Sequence, residues 1–319
     1  MLARTIRSVP TRINASLAAL VVFVHLAALI VLPAIQAVPG GVLVATMAIA
    51  ALGTPTHWAL IHEAIHGVLL PRRAANDRLA RVLAILFGVP FRAVRFAHLR
   101  HHRYNRTRWG REEVYDPAER SVFAAYALHY VRITVGLYVG ELALSLLCWL
   151  PRPVLRRHLY ALCPGAGNGT PGMRVVVDRE VLSTSALAEI RIDAIAVVAL
   201  YGGAFAIYGS RWPILAALLA ARAFISSQLD HAPHHGTPLE RRDHALNLSA
   251  PRWLRHLLLN FNFHRAHHRH PHLPWRSLPM VADAEPEDIP FAQAVLRQWR
   301  GPVALGGGDA PGGMPEPTR

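Results

Sequence analysis

The chain has 319 residues, 52% of them hydrophobic, and a formal net charge of +14 whose basic side is all arginine. Two cysteines, Cys148 and Cys163, leave no room for a disulfide framework, a cysteine-type zinc site or an iron–sulfur cluster. Such a basic balance suits nucleic acid or an anionic membrane surface; no basic patch is interleaved with aromatics, so a membrane is favoured and no nucleic-acid partner is expected.

Between Ile13 and His62 there is no charged residue. A bilayer span needs about 20 apolar residues, so this stretch predicts two, at about 15–37 and 42–61, parted by the Pro-Gly turn signal at Val38–Gly41. Arg4, Arg7 and Arg12 imitate a secretory signal, but the following run exceeds the roughly 7–15 apolar residues of one and reads as a retained span. The apolar run 79–91 is too short to cross and is placed at the surface. Residues 121–150 are apolar but carry Arg132 and Glu141. A single crossing there would separate the later histidines from the earlier ones, so an interfacial helix or a bent hairpin is expected. Residues 151–185, rich in Pro, Gly and Arg, read as a cytoplasmic loop, either plain or a recognition surface for a carrier or donor. Two further spans, about 190–208 and 212–229, are joined by "GSRWP". Arg222 falls near the middle of the fourth, where charge is costly; it faces the protein interior, or the span starts earlier. Residues 303–319 read as a disordered tail.

Arginines gather in the N-terminus, 72–111 and 152–179, which the positive-inside rule places in the cytoplasm. The expectation is an all-α integral membrane protein, with one domain over 1–302. It has about four spans in two hairpins, interfacial helices and a histidine-rich cap on the cytoplasmic face of the cell inner membrane.

Histidines recur at helical spacing. "HEAIHG" puts His62 and His66 at i, i+4; "HLRHHRYN" puts His98, His101 and His102 at i, i+3, i+4; "FHRAHHRH" repeats that with His264, His267 and His268. "QLDHAPHHG" adds His231, His234 and His235. Eight histidines in one-face patterns, with His231, exceed the three or four ligands of one zinc and suit two metals. Redox chemistry on an apolar substrate then points to iron with O2. Soluble di-iron carboxylate proteins use a Glu-x-x-His from each of two helices with further glutamates from two others, an arrangement this chain lacks, so a histidine-dominated site is expected.

"HEAIHG", "HLRHH" and "HRAHH", with "DPAE" after the second and "HPHLPWRSLP" after the third, resemble the histidine boxes of the integral-membrane fatty acid desaturase and hydroxylase superfamily, in order and spacing over about residues 40–280. The resemblance implies a non-haem di-iron centre with two iron ions, O2 as co-substrate, a lipid or acyl substrate, and an external electron donor of ferredoxin, rubredoxin or cytochrome type with its reductase. It also implies one further ligand histidine between the second and third boxes. His231, after Asp230, matches best, although His234 and His235 stand close by. The most direct reading is a fatty acyl desaturase; a hydroxylase or ketolase of a lipid or carotenoid is the alternative.

Around the ligand set, Glu63 is expected to orient a ligand ring, and Asp116 and Asp230 to fix ring tautomers. Asn105 and Asn260 are candidates to hold a water or an iron, and Trp275 to anchor at the membrane interface. His129, His158, His244 and His256 read as ordinary, His25 and His57 as structural or interfacial, and His270 and His272 as structural or as supports of the ligand rings. Two other classes compete. "HEAIH" fits a zinc protease in which Glu63 is the general base, but that leaves six histidines without work. A metal-binding protein without catalysis is the second.

Overall fold

The computed structural model describes residues 7–35, 37–107, 109–162, 171–239, 243–285 and 288–306. Helices dominate. Helix α1 (Thr11–Ala34) is long and apolar enough to cross a membrane and carries a π-helical turn at Ala27–Val31. Helices α2 (Gly40–Leu52) and α3 (Thr54–Ile65) form a pair bent by 44°. Pro55, in the first turn of α3, cannot donate to the preceding helix and forces the break. Helix α1 and the bent α2–α3 pair thus fall where the first two spans are expected, and both are candidates to cross a membrane by length and composition.

Helices α4 (Arg73–Phe87) and α5 (Phe91–Tyr104) form a second pair, bent by 97°. Gly88 makes the corner at φ +103, where a Cβ would also lie 2.9 Å from the Tyr138 hydroxyl. The run 79–91, expected at the surface, is instead core: Ala80, Leu83, Ala84, Phe87 and Val89 are all buried. Its shortness misled because the preceding polar turn, from Arg73, belongs to the same helix.

Helix α6 (Val122–Leu147) is one continuous helix with a π-helical turn at Arg132–Gly136, and no bent hairpin. Its length and composition would let it cross a membrane. Both its ends, however, adjoin the histidine end of the bundle. His129 donates to Gln298 O (2.8 Å) near the first end, and Cys148, just past the last, shares a buried cluster with Ala93 and Tyr104 of α5. The expected loop 151–185 contains helices α7 (Arg152–Leu162) and α8 (Pro171–Glu180), which bury Leu155, Met173 and Val177 between them and α9.

Helices α9 (Thr184–Tyr208) and α10 (Trp212–His231) fold back on each other. In one straight helix, residues 21 apart stand roughly 30 Å apart; here Arg222 donates to Tyr201 Oη at 2.7 Å. Gly209 (φ +52) makes the turn. Short helices α11 (Arg252–Leu257), α12 (His264–Arg269) and α13 (Phe291–Gln298) complete the cap. Strand β1 (Val114–Tyr115) pairs in parallel with β2 (Val303–Ala304). The expected tail thus begins as a strand, tied by Val303 N–H to Glu113 O (2.8 Å) and Leu305 N–H to Tyr115 O (2.9 Å). Residues 307–319 lie outside the described residues.

Large apolar side chains cover the outside of the bundle: Phe23 is 70% exposed, Leu52 67% and Ile192 59%. Such a surface belongs in lipid rather than water. Arg222, inside it, is fully buried. It donates to Phe87 O (2.8 Å), Leu86 O (3.3 Å), both the Tyr138 and Tyr201 hydroxyls, and His25 Nε2 (2.7 Å). Among the described residues no carboxylate pairs with it. The two carbonyls are the last of α4, whose C-terminus carries partial negative charge. Arg222 thus faces the interior and holds the corner between α4 and α5. Arg222→Met leaves the buried His25 Nε2 without its donor, while Phe87 O and Leu86 O keep the Tyr138 and Tyr201 hydroxyls, and is expected to cost about 1–3 kcal/mol. Thermal melting in detergent checks this; a melting temperature within a degree of wild type would mean the corner holds without the guanidinium.

Candidate metal centre

Four segments meet at the cap. The last turn of α3 brings His62 and His66, the last turns of α5 bring His98, His101 and His102, the turn after α10 brings His234, and α12 brings His264, His267 and His268. Helix α12 has only six residues, too few to hold itself. Two arginines clamp it. Arg265, fully buried, makes two 2.6 Å bonds to Asp288, and Arg269 reaches Asp243, Asp283 and Glu285.

The nine rings form two groups. His62, His66, His98, His102 and His267 make one; His101, His234, His264 and His268 make the other. Within each group the ligand nitrogens all lie within 4.8 Å of one another. Every H-x-x-H-H box is divided between them. The i, i+4 pair of α5, His98 and His102, serves the first group while His101 serves the second; on α12 the pair His264 and His268 serves the second while His267 serves the first. Residues four apart project within about 40° of each other, and the residue between points about 60–100° away from them. The ring of His102 stacks on His268 at 4.2 Å where the groups meet.

Hydrogen bonding alone does not explain the arrangement. His98 Nε2 lies 3.0 Å from both His66 Nε2 and His102 Nε2, and His264 Nε2 lies 2.9 and 3.1 Å from His234 and His268. A neutral imidazole nitrogen has one proton or one lone pair, so it cannot satisfy two such neighbours. The buried Nε2 of His62 meets no hydrogen-bonding partner among the described residues. Two nitrogens bound at right angles to an ion at about 2.1 Å stand about 3.0 Å apart, and tetrahedral ligands about 3.4 Å. The observed 2.9–3.1 Å spacings are those of right-angled ligands. Burial, and then the neighbouring imidazoles, hold His234, His264, His267 and His268 well below the ordinary histidine range, and burial alone brings His66 down to about 4. The rings are neutral near pH 7, the form that binds metal.

His231 lies outside both groups, and His234 takes its place. As the last residue of α10, His231 turns Nδ1 back to Ser227 O (3.0 Å), and its Nε2 lies 3.6 Å from Glu112. The next turn carries His234 into the cluster. His235 donates to Gly301 O (2.9 Å) instead. Asp230 lies 3.9 Å from His231 Nδ1 and Asp116 caps its own turn by accepting from Ala118 N–H (2.8 Å); neither bonds a ring of the two groups. Asn105 donates to His244 O (3.0 Å) and Asn260 to Trp275 O (3.1 Å). Glu63 accepts the backbone N–H of Trp275 at 3.0 Å rather than a ring. Trp275 is itself buried and donates from its indole to Asn14 (2.9 Å), so it clamps α1 to the cap and is no interface anchor.

Sequence reasoning missed Arg106. Fully buried at φ +61, it pairs with Glu113 (2.7 Å) and donates to the carbonyls of His234, Thr237 and Pro238, holding the turn that carries His234. Nothing marks it among the many arginines of the chain.

A family model described as fatty acid desaturase matches residues 33–300, and the chain belongs to that family. It is an integral membrane oxidoreductase of the desaturase and hydroxylase type, and the family implies a lipid or acyl substrate and O2-dependent chemistry. Among curated proteins, none matches the chain significantly.

Two outcomes test the site. His234→Ala should lower bound metal per chain, measured by plasma mass spectrometry, while His231→Ala keeps the wild-type content; the reverse pattern would restore His231 to the set. Acid should also unfold the protein. The folded chain keeps these imidazoles neutral, whereas the unfolded chain protonates them below about 6.5. Their stability contribution is therefore full above about pH 6.5 and lost as pH falls toward the lower folded values. A melting temperature in detergent lower at pH 5 than at pH 7.5 is expected.

Proposed function

We propose, from family membership and the geometry together, that the chain is an O2-dependent non-haem di-iron oxidoreductase that introduces a double bond into a fatty acyl chain. The observation that carries this reading is the convergence of nine neutral imidazoles in two groups within an apolar helical frame. His62, His66, His98, His102 and His267 would hold one iron, and His101, His234, His264 and His268 the other. Bound there, the iron pair supplies the oxidising power to remove two hydrogens from a –CH2–CH2– unit, with O2, two external electrons and two protons leaving as two waters.

The chain's own part is placement and exclusion. Helical anchors and the Arg265–Asp288 clamp fix the ring directions. Phe261 lies against His62 (4.8 Å) and His264 (4.6 Å), one ring from each group, and Trp58 against His98 (6.5 Å). These aromatics keep water from the underside of the rings, which matters where a strong oxidant acts on an unactivated C–H bond. Electrons come from outside, from a donor of ferredoxin, rubredoxin or cytochrome type with its reductase. The clustered arginines favour the cytoplasmic face of the cell inner membrane for this cap. The zinc protease reading loses support because Glu63 is committed to Trp275 and both its histidines share a group with three others.

The test is a lipid profile. The wild type and His101→Ala/His102→Ala are expressed in a host without desaturases, together with a ferredoxin and its reductase, and total fatty acids are compared by mass spectrometry. A loss of two mass units in the wild type alone is expected. A gain of sixteen would make the chain a hydroxylase instead, since the same ligands serve both.

A further inference from the structure

A groove of about 450 Å³ lies on the face of α5 turned away from the histidines. Residues 92, 95, 96, 99, 100 and 103 form one stripe of that helix, while His98, His101 and His102 project from the other side. Six arginines line the groove: Arg81, Arg92, Arg95, Arg100, Arg103 and Arg179. Only three carboxylates, Asp77, Glu180 and Glu189, line it with them. Arg92 is taken by Glu189 (2.8 Å), Arg81 by Asp193 (2.6 Å) and Arg179 by Glu180 (2.9 Å). Arg95 reaches Asp77 only at 3.5 Å. Arg100 donates to a carbonyl, and Arg103 lies over the Tyr104 ring; among the described residues neither pairs with a carboxylate. The groove thus offers guanidinium forks to an anion, and such forks match phosphate.

The rest of the lining is apolar, with Phe91, Phe96, Met173 and Val176 among it. Below the rim an exposed apolar surface begins. Ile192 stands one turn beyond Glu189 on α9 and is 59% exposed; Val82 follows Arg81 on α4 and is 45% exposed. A ligand with a phosphate in the groove could therefore lay hydrocarbon directly on the lipid-facing side of α4 and α9. A soluble phosphate compound would leave that surface unused, and an acidic protein would want a broad face rather than a concavity of small-molecule size. Basic pockets between membrane helices bind anionic lipid headgroups. We propose that this groove is a binding site for one anionic phospholipid, its phosphate held by Arg95, Arg100 and Arg103 and its chains lying along Val82 and Ile192. The site needs no metal and is separate from the histidine groups.

The test uses the full chain in detergent, titrated by native mass spectrometry with phosphatidylglycerol, phosphatidylcholine and glycerol 3-phosphate. One phosphatidylglycerol per chain should bind at least tenfold tighter than phosphatidylcholine. Arg95→Gln/Arg103→Gln should weaken it at least tenfold, and Arg95→Lys/Arg103→Lys should recover much of the loss. Ile192→Glu, with every arginine intact, should also weaken it. A melting temperature measured for each variant separates lost binding from lost fold. Undiminished phosphatidylglycerol binding by the folded glutamine variant would overturn the site. Glycerol 3-phosphate bound as tightly as the lipid would overturn the lipid as its occupant.

Discussion

Everything in this molecule is arranged around one constraint: nine imidazoles must reach one place and stay uncharged there. Each ring costs free energy to bury, and each protonated neighbour would raise that cost. Packing them together in a dry cap lowers their proton affinity, and that same shift is what makes them good ligands. The constraint also explains why the cap is built from helix ends. A helix end can put two rings four residues apart on one side, whereas four chain segments spread over some 200 residues must be brought together by the frame below.

The frame solves this with buried polar anchors rather than with apolar packing alone. Arg222 ties α10 to the end of α4, and through Tyr138 and Tyr201 to α6 and α9. Above it, Arg106 holds the turn of His234 and Arg265 holds the short helix of the third box. All three arginines are almost wholly buried, and each satisfies backbone carbonyls or a carboxylate through its planar fork. Lysine, a point charge, would serve these positions poorly; the absence of lysine from the chain is in keeping with that, although coding bias suffices to produce it.

Much of this was legible in the sequence because it is local. Spacing put the three rings of each H-x-x-H-H box on one face and did not show that His101 and His267 turn to the opposite group from their neighbours; charge-free length marked α1 and the α2–α3 pair. What the sequence hid is what depends on how the chain ends an element. His231 and His234 differ by three residues, and only the exact end of α10 decides which ring enters the cluster. The run 79–91 looked superficial because its amphipathic first turn was counted apart, and Val303–Ala304 looked like tail because a two-residue strand has no periodicity to read. Arg106 and the Glu63–Trp275 contact join residues far apart in the chain or in no motif, so no spacing announces them.

The division of each H-x-x-H-H box between the two groups has a mechanical consequence. Helices α5 and α12 each carry rings of both groups, fixed to one rigid axis about 60–100° apart. Any rotation that improved the aim of His98 and His102 would swing His101 off its own target by the same angle. Neither group can therefore be adjusted alone, by substitution or by thermal motion, as two wheels keyed to one shaft cannot be set separately. Two sites on paper are one part in the machine.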